Sequence, residues 1–184
     1  MVRQLKINIR KIKKMKKLLL LVAAFATVFV NAASFDWKLQ TGAGYEGFSV
    51  YALTGTTSSA VLSVFASSDV DSWTDPVAGF TAFQVTGNNS RSGATGKSDG
   101  VTADEELVFV IIGGSIAEGN QYWVMNEYSI PGSAIYEPPA TGTALTTKMT
   151  DLGVAGTGTF TAVPEPASAM LALAGVAMLI RRRK

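Results

Sequence analysis

From Phe35 to Ala162 the chain is a succession of short apolar segments separated by clusters of Gly, Ser, Thr and Asn. This rhythm constrains the fold more than any other feature, because it suits strands and turns and leaves little room for long helices. Candidate strands are Phe35 to Leu39, Phe48 to Leu53, Phe80 to Thr86, Glu106 to Ile112, Tyr122 to Tyr128 and Thr157 to Ala162. Leu107 to Ile112 is apolar throughout, which predicts a central strand. The arms flanking Gly113 to Gln121 predict an antiparallel hairpin turning at Glu118-Gly119-Asn120, with Tyr122, Val124 and Asn126 alternating on one face. Thr57 to Ser67 is the exception: Val61, Leu62 and Phe65 recur at helical spacing behind Ser58, a candidate N-cap. The expected fold is mainly β, an antiparallel β-sandwich-like domain with one short helix, flanked by an N-terminal signal helix and a C-terminal hydrophobic helix.

Cysteine and histidine are both absent. No disulfide can staple the domain, so its stability must come from a core, and the 131 residues from Ala33 to Val163 can bury roughly two-thirds of their unfolded surface. A Ser-His-Asp triad, a cysteine nucleophile and ordinary zinc, haem or copper sites are excluded. Carboxylate chemistry, serine-lysine chemistry and oxygen ligands for hard cations survive.

Both ends carry targeting patterns. Lys16 and Lys17 precede an apolar segment, Leu18 to Val30, and Val30-Asn31-Ala32 fits a signal-peptidase cut after Ala32, leaving Ala33 as the first mature residue. A cut after Ala33 is less favoured, since Asn31 would then stand at minus three. Met15-Lys16-Lys17-Leu18 is a compact start, so translation is expected to begin at Met15. At the other end Val163-Pro164-Glu165-Pro166 leads into the apolar run Ala167 to Ile180 and then Arg181-Arg182-Arg183-Lys184. Fourteen helical residues reach about 21 Å against a hydrocarbon core of roughly 30 Å, and the prolines prevent upstream extension. Such a run makes a marginal span, helped by snorkelling of the terminal cations, which the positive-inside bias keeps cytoplasmic.

The order and spacing of Pro164-Glu165-Pro166, the alanine- and leucine-rich run and the arginine cluster resemble the PEP-CTERM sorting signal of Gram-negative bacteria. The resemblance covers about 22 of 184 residues. It implies recognition and cleavage by an exosortase, an integral-membrane cysteine protease, after transient retention at the inner membrane. Release to the outer surface or exterior and an association with exopolysaccharide or biofilm are also implied.

The organisation expected is a signal peptide (1–32), a β-rich extracytoplasmic domain (33–135), a Thr/Gly-rich excursion or stalk with a closing strand as an alternative (136–163), and the sorting signal (164–184). Excluding the signals leaves Lys38, Arg91, Lys97 and Lys148 against 13 acidic residues between Ala33 and Val163, a net charge of −9. The basic balance of the whole chain therefore comes from its ends, and nucleic acid is not an expected partner.

Three motifs invite chemistry. Gly93-Ala94-Thr95-Gly96-Lys97-Ser98 resembles the end of a phosphate-binding loop, but Arg91 stands where the first glycine belongs and no helix pattern follows, so it reads as a mobile surface loop. Asp69, Asp71 and Asp75, and separately Asp99, Asp104, Glu105 and Glu106, offer oxygens to calcium without the EF-hand spacing and read as solvated surface. Trp37, Trp73, Trp123, Tyr45, Tyr122 and Tyr128 could stack on sugars but read first as core. No Ser-x-x-Lys spacing occurs at Lys38, Lys97 or Lys148. Asn88-Asn89-Ser90 fits a glycosylation sequon, a pathway most bacteria lack. No catalytic residue, metal site or cofactor is assigned. The leading expectation is an exported, non-catalytic surface or matrix protein whose partners are signal peptidase, an exosortase-like protease and extracellular polysaccharide. The alternatives are a carbohydrate- or calcium-binding module and, behind it, a small carboxylate-dependent hydrolase.

Overall fold

Phe35, Trp37 and Leu39 alternate with Asp36, Lys38 and Gln40, and the strand they form, β1 (Ser34–Gln40), sends the three apolar side chains into the core. The structure, a computed structural model, describes residues 32–87 and 89–162. The expected signal helix, the motif Val163–Pro166, the apolar run and Arg181–Lys184 lie outside them. The described residues from Ala33 onward belong to one compact unit. No helix among the described residues is long and apolar enough to cross a membrane.

The described fold is mainly β and sandwich-like. After β1 come β2 (Ser49–Thr54), helix α1 (Ser58–Phe65), a 3-10 helix (Val70–Val77), β3 (Phe83–Gln84), β4 (Gly93–Asp99), β5 (Glu106–Ile112), β6 (Gln121–Met125), β7 (Tyr128–Ser129), β8 (Ile135–Tyr136), β9 (Leu145–Lys148), the one-turn helix α2 (Met149–Leu152) and β10 (Val154–Thr159). In the first sheet β1 is central, with β4 along one edge and β8 then β9 in succession along the other. Its ladders are antiparallel except β1–β9, which is parallel. The second sheet, β10-β6-β5-β2-β3 with β7 also beside β5, is antiparallel throughout.

Three layers follow from the two faces of β5. Leu107, Phe109 and Ile111 join Phe35, Trp37 and Leu39 in the core between the sheets. Val108, Val110 and Ile112 face the other way, where Val61 and Phe65 of α1, Trp73 and Val77 of the 3-10 helix, and Phe160 cover them. A strand buried on both faces must be apolar at every position, which accounts for the run Leu107 to Ile112. The β5–β6 hairpin forms as expected, Ile112 opposite Tyr122. Tyr122 and Val124 are buried, whereas Asn126 lies beyond the strand and is exposed.

Several expectations need correction. Phe80 to Thr86 contributes only Phe83–Gln84 to a ladder, with Thr86 in an isolated bridge. Tyr122 to Tyr128 breaks after Met125 and resumes as β7. The N-cap of α1 is Thr57, whose hydroxyl accepts from the Ala60 N–H at 3.2 Å. Ser58 is instead the first helical residue, buried, and its hydroxyl donates to the Met125 carbonyl at 2.7 Å. The segment 136–163, expected as an excursion or stalk with a closing strand as the alternative, supplies β9 to the first sheet and β10 to the second. Gly156 and Gly158 of β10 lie so close beneath Leu62 and the Tyr122 ring that a Cβ would overlap them. The lack of large side chains there, which suggested loose packing, is what permits close packing.

Candidate functional site

The aromatic residues divide by burial. Trp37 and Trp73 are 1% and 0% exposed and Tyr122 is 5% exposed. The Trp73 indole N–H donates to the Ser67 carbonyl at 2.8 Å, and its ring packs 5.1 Å from Phe160. None of these three can present a face to a sugar. Trp123 is half-buried, packed edge-on against Tyr45 at 5.3 Å and beside Phe48 at 5.6 Å. Tyr128, also half-buried, stacks on Phe35.

The acidic residues are local fixtures. Asp69 caps the 3-10 helix by accepting from the Asp71 N–H at 3.2 Å. Glu105 accepts from the N–H and hydroxyl of Thr102, closing the turn that puts Asp104 at φ 63°. Among the described residues no three acidic side chains converge on a point where a cation could sit. Glu46 accepts from the Gly44 N–H and the Ser92 hydroxyl, each at 2.8 Å, and Glu127 accepts from the Ser58 N–H at the start of α1, also at 2.8 Å. Both carboxyls titrate below their ordinary range, chiefly through hydrogen bonds from backbone N–H groups.

The segment 93–98, expected as a mobile loop, is a regular strand, and this is the main feature that sequence reasoning missed. Its glycines are packing devices. A Cβ at Gly93 would overlap the Leu39 carbonyl, and one at Gly96 would overlap the rings of Trp37 and Phe83. The discoverable signal was the alternation of Thr95, Lys97 and Asp99 with the small residues Ala94, Gly96 and Ser98.

Strand alternation gathers charge on the outer face of the first sheet. Asp36 stands opposite Lys97, and Ser34 opposite Asp99. Asp99 Oδ1 accepts from the Ser34 hydroxyl at 2.6 Å and from Lys97 Nζ at 2.9 Å. Tyr136 of β8 donates its hydroxyl to Asp36 Oδ1 at 2.8 Å, and Lys97 Nζ lies 5.9 Å from the centre of the Tyr136 ring. The Asp99 carboxyl is lowered, first by the Ser34 hydrogen bond and then by Lys97. The hydrogen bond to Asp99 raises Lys97, the direction opposite to that of a lysine general base. Partial burial, then the bond to Asp36, pushes the Tyr136 phenol up.

Beside this network the free edge of β4 borders a cleft of about 230 Å³. Lys97, Ser98 and Asp99 form one wall, Gly79, Phe80 and Thr81 the other, and Ala52, Thr54 and Phe83 close it. Phe80, 36% exposed, stands at this cleft, and the Trp37 indole N–H donates to the Ser98 hydroxyl at 3.2 Å. The cleft exists because the chain changes sheets. Thr86 pairs with Gly93 of β4, yet two residues earlier Gln84 pairs with Ser49 of β2. A β3–β4 hairpin is thereby splayed open.

Of the residues assigned to processing, Ala32 is exposed and Ala33 half-buried, its carbonyl accepting from the Gly100 and Val101 N–H groups at 2.8 and 3.3 Å. The residues expected to form a sorting signal, Val163–Pro166 and Arg181–Lys184, lie outside the described residues. The chain matches no family model, no curated protein and no solved structure.

Proposed function

We propose that this chain is an exported, non-catalytic cell-surface or extracellular-matrix protein processed through its C-terminal sorting signal and associated with extracellular polysaccharide. The observation that carries the reading is the tail itself: Pro164-Glu165-Pro166, an apolar run too short for a comfortable permanent span, and Arg181 to Lys184. The signal-peptide pattern ending at Ala32 points to the same destination. Support also comes from a core that the residues between the two signals build unaided, from Phe35 to Phe160, without disulfides. Lys97, held as an ammonium by Asp99, gives no support to serine-lysine hydrolysis. The test is the intact mass of the protein recovered outside the cell. A mass beginning at Ala33 and ending near Pro164 to Pro166 is expected; a chain retaining Lys184 in the cell envelope would replace sorting by simple anchoring.

A second reading, a carbohydrate-binding module, rests on Trp123, the one tryptophan with ring surface left open, flanked by Tyr45 and Phe48. Retention on the producer's own polysaccharide that is lost in Trp123→Ala would favour it.

A further inference from the structure

The wall of the cleft formed by β4 carries main-chain hydrogen-bonding groups that no other part of the described chain uses. Thr86 and Gly93 exchange both of their backbone bonds, at 2.8 and 2.9 Å, so the N–H and C=O of Gly93 point away from β1. The Thr41 N–H bonds the Ser92 carbonyl at 2.9 Å, which sets the opposite phase one residue earlier. In an antiparallel ladder these phases alternate, so the N–H and C=O groups of Thr95, Lys97 and Asp99 also point outward. Among the described residues none of the six has a backbone partner. Continuing the Thr86–Gly93 register would set Gln84 across from Thr95, Ala82 across from Lys97 and Phe80 across from Asp99. Phe83 and Gln84 are instead committed to Val50 and Ser49 of β2.

We propose that this cleft receives an extended, uncharged polypeptide segment of a partner protein, about four residues long, which adds to β4 as a further strand. The hydrogen-bond pattern selects the occupant: outward donor and acceptor pairs recur every second residue, about 6.8 Å apart, the repeat of another strand and not of a sugar ring. Charge selects it as well. Lys97 and Asp99 neutralise each other at 2.9 Å, so the wall offers no net charge to an ionic ligand although the body around it is acidic. Alternate side chains of the incoming strand would meet Phe80, Phe83 and Ala52 on one side and the Lys97–Asp99 pair on the other. The surface does not depend on how the C-terminal tail is processed.

The test uses the full-length, 15N-labelled chain and two probes, acetyl-Thr-Val-Thr-Val-amide and the same peptide N-methylated at both valines. At millimolar peptide the first probe should slow exchange of the Lys97 and Asp99 amides by about tenfold or more, leaving Ala94, Gly96 and Ser98, already bonded to β1, unchanged. The N-methylated probe should have no effect. Lys97→Pro, which removes one outward N–H at an edge position where proline is tolerated, should abolish the protection; if that variant fails to fold, the paired probes decide on the unaltered chain. Unchanged exchange, equal action by both peptides, or protection given by a dextran oligosaccharide and not by the peptide would overturn the proposal.

Discussion

Gly96 stands directly across the β1–β4 ladder from Trp37, and the indole, with the Phe83 ring beside it, fills the space that a side chain at Gly96 would need. Trp37 and Phe83 meet edge-to-face at 5.1 Å, and Trp37 meets Phe109 in the same way at 5.1 Å, so neither neighbour can yield without disturbing the inter-sheet core. Gly96→Ala should therefore destabilise the domain by about 1 to 3 kcal/mol, the range for overpacking a filled core. Chemical denaturation measures this. A loss below about 0.5 kcal/mol would mean that the rings have room to move.

Trp73 and Trp123 should separate under alanine substitution. Trp73 is fully buried among Phe65, Val77 and Phe160, and Trp73→Ala should cost about 3 to 5 kcal/mol with a marked fall in melting temperature. Trp123, half-buried at the rim of the inter-sheet core, should cost less. Equal losses in thermal melts would contradict the difference in burial.

Thr57 and Ser58 hold the start of α1 by different means. Thr57→Ala removes the N-cap acceptor and should cost about 0.5 to 2 kcal/mol. Ser58→Ala removes the buried donor to the Met125 carbonyl and should cost about 1 to 3 kcal/mol, because that acceptor loses its partner away from water. Equilibrium unfolding of both variants would show whether the buried bond or the exposed cap matters more.

Acid should weaken the fold through Glu46, Asp99 and Glu127, whose folded-state pKa values all lie below their ordinary ones. A lowered carboxyl contributes stability that is present above its unfolded pKa and lost as pH falls through the folded value. Melting temperature should thus hold between about pH 5 and 7 and decline below about pH 4. Glu127→Gln, which keeps an oxygen near the Ser58 N–H, should flatten part of that decline. An unaltered acid limb in this variant would remove Glu127 from the account.

Much of the fold was legible because it rested on period-two burial. Phe35, Trp37 and Leu39 announced β1, and the unbroken run from Leu107 announced a strand covered on both faces. The β4 and β9 strands were not legible, and β10 only from Thr157 onward, since glycine and threonine carry the same composition in a loop as in a strand packed against large neighbours. Gly96 and Gly156 are small because Trp37 and Leu62 occupy the adjacent space, and those neighbours lie 59 and 94 positions away along the chain. The candidate site was hidden for the same reason: its wall is a strand edge, and no side-chain pattern marks which edge stays unpaired.

By itself the sequence determined the class of fold and the reliance on a disulfide-free core, both of which follow from local composition and periodicity. Only the tertiary structure decided which polar residues meet and which edge is left open. Asp36, Lys97 and Tyr136 converge because three strands distant in sequence share one face, and the cleft arises because the chain leaves β2 for β4 between Gln84 and Thr86. Long-range pairing depends on which surfaces compete for the same strand, and that competition has no imprint in neighbouring residues.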